Sequence, residues 1–400
     1  MNIAHILKAN IAGKIINHLL VFVMNVAMVR MLGVNQSGSY FNELYILNFF
    51  AFLFSFGLDF ATIASVSKDP SCIPVLHRLF FRLGLIVALL IFGISHYLLP
   101  ITTLHPIQNA LTITLFAAGN LWLILYQGLL SACRRFNAQN LILISTNLLF
   151  LIWILFQSKK AIGVEEMSSM YAGLIACQAV IMMIISQRPG EAKSESVKLR
   201  QLFSYGLQIM ASSLVYFVFL RADNFFVEHY SNPEVLSNYV QCGKVGQYFI
   251  YFSSVISSTL IPFIASEQLA RTYKDWLALM RPYVLIILGG AILVCFSGKW
   301  LFPIVFGDSF SGMYAYMNIL MPGYVCLGIL TLMNAVYLGK GDVKTIFKGD
   351  LIAMILLLLL DAFIVPKYGA TAAAIISSAC YFLLCLYLWL NLKKHFNQPA

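Results

Sequence analysis

Charge is what this sequence has least of. Only 10% of its 400 residues are Asp, Glu, Lys or Arg, against 60% hydrophobic residues. Soluble domains are about one-quarter charged, so this chain cannot cover itself with a polar surface, and a water-soluble globular protein is excluded. Signatures of catalysis are missing as well. There is no Walker-type glycine loop, which argues against ATP as the energy source, and no H-E-x-x-H or G-x-S-x-G. The seven histidines are scattered, and none of the eight cysteines forms C-x-x-C. These absences predict a protein with no cofactor, no metal and no enzymatic activity, its cysteines acting as small apolar residues. Alternating ten-residue strands of the kind that build outer-membrane barrels are also absent.

What is present is one apolar run after another. Stretches of about 18 residues or more can span a bilayer, and in lipid a continuous apolar run must be helical to satisfy its own backbone. The sequence therefore predicts an all-α polytopic membrane protein with about twelve spans, near 9–32, 40–65, 81–99, 108–131, 140–157, 168–187, 202–228, 236–264, 279–297, 312–338, 349–365 and 369–391. The first of these lacks a clear small-residue cleavage site and reads as a span rather than a signal peptide. If both termini are cytoplasmic, 19 Lys and Arg fall in inside segments and 5 in outside segments, with Arg221 and Lys244 left within spans. That bias predicts termini on the inside. It also explains the net charge of +10 without nucleic acid, because the cations lie beside anionic membrane lipids.

The longest polar connection, QRPGEAKSESVKLR at 187–200, falls at the middle of the chain. It predicts a six-helix lobe over 1–190, a cytoplasmic linker over 191–200 and a second six-helix lobe over 201–400. The halves echo one another. MLGVNQSGSY (31–40) and YSNPEVLSNY (230–239) occupy the same place in each half, offset by 199, so that Tyr40 falls on Tyr239. Two parallel repeats suggest a transporter whose substrate site is shared by the halves.

A short series of ionisable residues lies at membrane depth: Lys14, Arg30, Glu43, Asp59, Arg221, Asp223, Glu228, Lys244 and Asp361. Each would cost about 3 kcal/mol or more on a lipid-facing helix centre, so each faces a cavity, pairs, or reaches an interface. Arg30 and Glu228 sit near outer ends and Lys14 and Asp59 near inner ends, where reaching the interface is the simpler reading. Lys244 and Asp361 lie deeper. Asp223 is expected to meet a cation on another helix, with Lys244 the candidate. Tyr216 and Tyr248 belong to a group of tyrosines on spans seven and eight suited to stacking on sugar rings, although interfacial tyrosine is the commoner case. Pro322-Gly323 inside MNILMPGYVCLG predicts a broken or kinked span ten and a hinge.

Four segments resemble one known family. FLRADNFFVEHYSNPEVLSNYVQCGKVGQYF resembles spans seven and eight of bacterial polysaccharide exporters, with an Asp preceded by Arg, a short turn, and a Tyr-containing helix that carries a Lys. VRMLGVNQSGSYFNELYILNFFAFLFSFGLDF resembles their first two spans, FGDSFSGMYAYMNILMPGYV their ninth-to-tenth connection, and DAFIVPKYGATAAAIISSACYF their last two spans. The family is the Wzx-type O-antigen flippases, within the multidrug/oligosaccharidyl-lipid/polysaccharide exporter superfamily. The resemblance covers nearly the whole chain and implies two pseudo-symmetric six-helix bundles in a V-shaped exporter fold. It implies movement of an undecaprenyl-diphosphate-linked oligosaccharide across the bacterial inner membrane by alternating access, coupled to H+ or Na+. The polymerase and chain-length proteins of the same pathway are then expected partners. On this reading Arg221, Lys244, Arg30 and Lys14 bind the diphosphate, and Asp223, Asp59 and Asp361 serve ion coupling or gating. Family members often carry Asn where this chain has Asp361, which leaves its role open.

Two rival readings share much of this pattern. A drug or cation antiporter of the same superfamily would have the same fold, but a cationic substrate favours an acidic lumen. The membrane O-antigen polymerase has a similar span number but is expected to carry a large periplasmic loop, and no outside connection here exceeds about a dozen residues.

Overall fold

The computed structural model describes residues 3–68, 70–98, 107, 109–157, 162–187, 199–265, 273–340 and 342–397. Among them are twelve α-helices: α1 (Ile3–Leu32), α2 (Val34–Phe54), α3 (Leu58–Lys68), α4 (Ile73–Leu98), α5 (Ala110–Ala132), α6 (Phe136–Gln157), α7 (Val164–Ser186), α8 (Leu199–Tyr230), α9 (Pro233–Ala265), α10 (Tyr273–Phe306), α11 (Met313–Gly339) and α12 (Val343–Asn397). Nine helices among the described residues are long and apolar enough to cross a membrane. The protein is a nearly all-helical, multi-pass membrane protein, as its composition demands.

The count of twelve conceals two opposite departures from the expected spans. Span two breaks into α2 and α3, because Phe56 and Gly57 both take left-handed backbone angles, φ 51° and 65°. Gly57 permits this without steric penalty, whereas Phe56 does not. Spans eleven and twelve run together as α12, interrupted only at Gly369, where φ is 63° and ψ −156°. A kink built on one glycine leaves no loop to see in the sequence.

The chain divides into two compact units, Met1–Leu214 and Val215–Ala400. The division falls inside α8. The early part of α8 approaches the α2–α3 break closely: a Cβ on Gly206 would stand 2.4 Å from the carbonyl oxygen of Phe56, and one on Gly57 2.2 Å from that of Gly206. Residues 191–198 of the expected linker lie outside the described residues, as do Lys159, Lys160, Arg188 and Arg271 of the charge count.

Each unit is built around its fourth span. In the first unit α5 packs against α7, α4, α3 and α2, while α1 packs on α6. Small residues allow this crowding. Gly119 faces the Ala176 backbone of α7, and Gly128 faces the Asp59 backbone of α3, with virtual Cβ distances of 3.2 and 2.8 Å. In the second unit α11 packs against α9, α12 and α10. Gly328 faces α9 and α10, and Gly323 lies on the Ser378 backbone of α12 at a virtual Cβ distance of 2.8 Å. Neutral side chains also tie the first unit together. Gln178 donates to Thr146 Oγ1 (2.9 Å) and Asn147 Oδ1 (2.8 Å), and Asn147 donates to Asn17 Oδ1 (2.9 Å), linking α7, α6 and α1.

Pro322 does not break span ten. α11 is continuous from Met313 to Gly339 with Pro322 inside it. Pro322 is exposed and Gly323 buried, and the Gly323 amide donates to Ser378 Oγ at 3.1 Å. Helix packing on either side maintains the helix despite the lost backbone bond, and Gly323 serves close approach to α12.

Candidate functional site

The second unit holds a buried polar core where α8, α9, α11 and α12 meet. Four consecutive residues of α8, Arg221 to Asn224, are buried, so one full helical turn is wrapped by protein. Further along, Glu228 is half-buried and His229 exposed, which suits groups at the helix end.

Asp223 is the hub. Its Oδ2 accepts hydrogen bonds from Tyr239 Oη of α9 (2.6 Å) and Ser377 Oγ of α12 (2.8 Å), and its Oδ1 accepts from the Asn224 amide (2.9 Å). Hydroxyl donors, not a lysine, satisfy this carboxylate, contrary to the pairing with Lys244 expected from sequence. Tyr239 and Lys244 are five residues apart on α9, about 140° around the helix. A helix that turns Tyr239 toward Asp223 therefore turns Lys244 elsewhere.

Arg221 and Lys244 form the cationic part of the core. Arg221 Nη1 lies 3.8 Å from where a Cβ of Gly243 would stand, with Tyr324 Oη 3.5 Å from the same point. Gly246, one turn on, makes room for the Tyr324 ring, which a Cβ would meet at 2.1 Å. Arg221 and Lys244 lie within electrostatic reach of one another. Two like charges brought together inside an apolar protein favour an anion beside them.

Asp361 is the counterpart on α12. It is fully buried, and neither carboxyl oxygen has a hydrogen-bond partner among the described residues. It interacts electrostatically with Asp223. An ionised carboxylate left alone in such a place costs several kcal/mol, roughly, even after relaxation.

The remaining residues singled out from sequence are spread more widely. Lys14 and Arg30 are both exposed on α1, sixteen residues and so about 24 Å apart along the axis, which prevents one diphosphate from touching both. Asp59 stands in the first turn of α3 in the first unit, half-buried, with Oδ1 buried and without a hydrogen-bond partner among the described residues. Tyr216 is half-buried with its ring 6.5 Å from Phe219, and Tyr248 packs edge-on to Tyr251 at 5.9 Å. Sequence reasoning missed Ser377 and Tyr324. It marked Tyr239 through the repeat with Tyr40 without giving it a role, and both tyrosines are almost completely buried, at 0% and 1% exposure.

Two compact units, one wound about α5 and the other about α11, with ionisable groups buried in the second, define a multi-pass, nearly all-helical membrane protein. Comparison with known proteins places it further. Residues 8–268 match the profile of the polysaccharide biosynthesis protein family, and the chain belongs to that family. No curated protein matches the chain significantly in sequence. Among solved structures, the fold is similar to an inward-facing multidrug resistance MATE family transporter of the MOP superfamily (TM-score 0.74, 12% identity, 96% of each chain covered). It is similar also to the lipid II flippase MurJ in an inward closed conformation (TM-score 0.68, 14% identity, 98% of this chain and 89% of that one). A third similar structure is a MOP superfamily transporter from Pyrococcus furiosus, described as having a binding pocket of reversed polarity (TM-score 0.67, 11% identity, 98% and 95% covered).

Proposed function

We propose that this protein is a flippase of the bacterial inner membrane. It moves an undecaprenyl-diphosphate-linked oligosaccharide, an O-antigen or related surface polysaccharide repeat unit, from the cytoplasmic to the periplasmic leaflet by alternating access. The observation that carries this reading is the juxtaposition of Arg221 and Lys244 in the buried core of the second unit. Membership of the polysaccharide biosynthesis family supports a substrate from polysaccharide assembly. A diphosphate needs charge-assisted donors away from water, and a guanidinium beside an ammonium provides them. The likeness to a lipid II flippase agrees with a lipid-linked substrate.

Arg221 and Lys244 are the principal diphosphate ligands in this scheme. Lys14 and Arg30, at opposite parts of α1, meet the head group only at different stages of its passage. Tyr216 and Tyr248 offer ring faces to the sugars. Asp223 and Asp361 form the ion-coupling pair: a proton or Na+ that neutralises Asp361 is released when the pair opens to the other side, and Asp223 is poised by its two hydroxyl donors. Asp59 is a second carboxylate available for coupling in the first unit, and Pro322-Gly323 remains the candidate flexing point of α11. The polymerase and chain-length proteins of the pathway receive the product.

Expression of the chain in a strain lacking its own repeat-unit flippase tests the reading. Restored surface polysaccharide is the expected result. Drug extrusion without restored polysaccharide would favour the antiporter reading instead.

A further inference from the structure

The first unit has a cavity of about 280 Å³, remote in sequence from the polar core, lined by His77, Arg78, Phe81, Arg82, Met183 and Gln187. It lies between the beginning of α4 and the end of α7, where both helices leave their apolar stretches. We propose that this cavity binds the phosphate head group of an anionic phospholipid in the leaflet at that end of the helices.

The charge pattern of the two lining helices, among the described residues, suits an anionic partner. Arg78 and Arg82 are four residues apart on α4 and share one face, where like charges repel. α4 contains no acidic residue at all. The acidic residues of α7, Glu165 and Glu166, stand in its first turn, about 30 Å from Gln187 along the helix. A third guanidinium, Arg135, lies at the same end of α7, donating to the Ile185 carbonyl at 2.7 Å. His77 is fixed by a 2.9 Å hydrogen bond between its Nδ1 and Tyr126 Oη, which leaves Nε2 as its second polar position.

Arginines that merely reach for water at an interface need not converge. Here two arginines line one cavity together with His77 and Gln187, and paired guanidinium groups suit the oxygens of a phosphodiester. The surface beside it favours a lipid over a free phosphate. Phe81, Leu85 and Leu89 continue the same face of α4, one turn apart, at 44%, 46% and 67% exposure. Phe81 is held by stacking on Trp122, with ring centroids 6.2 Å apart. Basic side chains beside an exposed apolar stripe match a head group with an acyl chain next to it.

The test uses the full chain in detergent micelles, with bound lipid counted by native mass spectrometry. Phosphatidylglycerol, phosphatidylethanolamine and inorganic diphosphate are the probes. The wild type is expected to retain phosphatidylglycerol over phosphatidylethanolamine. The double variant Arg78→Gln/Arg82→Gln should lose that retention about tenfold, and Arg78→Lys/Arg82→Lys should keep part of it. Equal retention by wild type and Gln variant, no preference for phosphatidylglycerol, or displacement of the lipid by inorganic diphosphate at equal concentration would each overturn the proposal. Should the Gln variant fail to fold, a photoactivatable phosphatidylglycerol added to the unaltered protein decides the matter. Labelling at residues 77–89 and 180–187 supports the site, and labelling only elsewhere overturns it.

Discussion

Tyr239 donates a 2.6 Å hydrogen bond to the same oxygen of Asp223 that accepts one from Ser377. Three helices are thereby joined at one buried carboxylate. The repeat offers an internal control. Tyr40 holds the matching place in the first unit, but on the same offset Met24 stands where Asp223 does. The Tyr40 hydroxyl is buried without a hydrogen-bond partner among the described residues.

Tyr239→Phe should therefore destabilise the protein by about 1–3 kcal/mol, the cost of removing a donor from a buried charged acceptor. Tyr40→Phe should be neutral or slightly stabilising, since it removes an unsatisfied hydroxyl. Thermal unfolding of both variants in the same detergent checks this. Equal losses in the two would show that Asp223 does not depend on the Tyr239 bond.

The asymmetry also shows how much of the site was legible in the sequence. The helical class and the informative stretch around Arg221 could both be read from composition and the distribution of charge. Asp223 was visible as a group in need of a partner. Its partners were not, because Ser377 lies 154 residues away and looks like any small residue of an apolar span. The α2–α3 break and the kink at Gly369 were hidden for a different reason. Both depend on positive φ at one or two residues, which leaves hydrophobic patterning unchanged.

Asp361→Asn keeps the shape of the side chain and removes its capacity to gain or release a proton or cation charge. The variant is expected to fold and to lose the response of transport to an imposed ion gradient. Transport by reconstituted protein, with and without a proton or Na+ gradient, measures this. A gradient response equal to wild type would remove Asp361 from coupling.

Gly323→Ala should be among the more harmful single substitutions. The added Cβ meets the Ser378 Cα at 2.8 Å and the Tyr381 ring at 2.9 Å, and the first of these is backbone that cannot swing away. Overpacking of this kind costs about 1–3 kcal/mol. Gly289→Ala, where a Cβ meets nothing within 4 Å, is the control and should unfold as the wild type does. Thermal transitions of the two variants compare directly.

Gln178→Leu leaves the Thr146 hydroxyl and the Asn147 side-chain oxygen of the first unit without the donor they share. Interhelical hydrogen bonds in membranes average about 0.6 kcal/mol, rising to about 1.7, so a small fall in stability is expected, with Arg221 and Asp223 undisturbed. An unchanged unfolding temperature would mean that the network orders the side chains without stabilising the unit.

The central claim is that Arg221 and Lys244 hold the diphosphate during transfer. Its most direct measurement is the rate at which a lipid-diphosphate-linked oligosaccharide moves between leaflets of vesicles containing purified protein. Arg221→Ala and Lys244→Ala should each lower that rate about tenfold or more, the effect of losing roughly one charge-assisted contact. Both should still insert and fold, and Lys244→Arg should retain part of the activity. Wild-type rates in both alanine variants would contradict the claim.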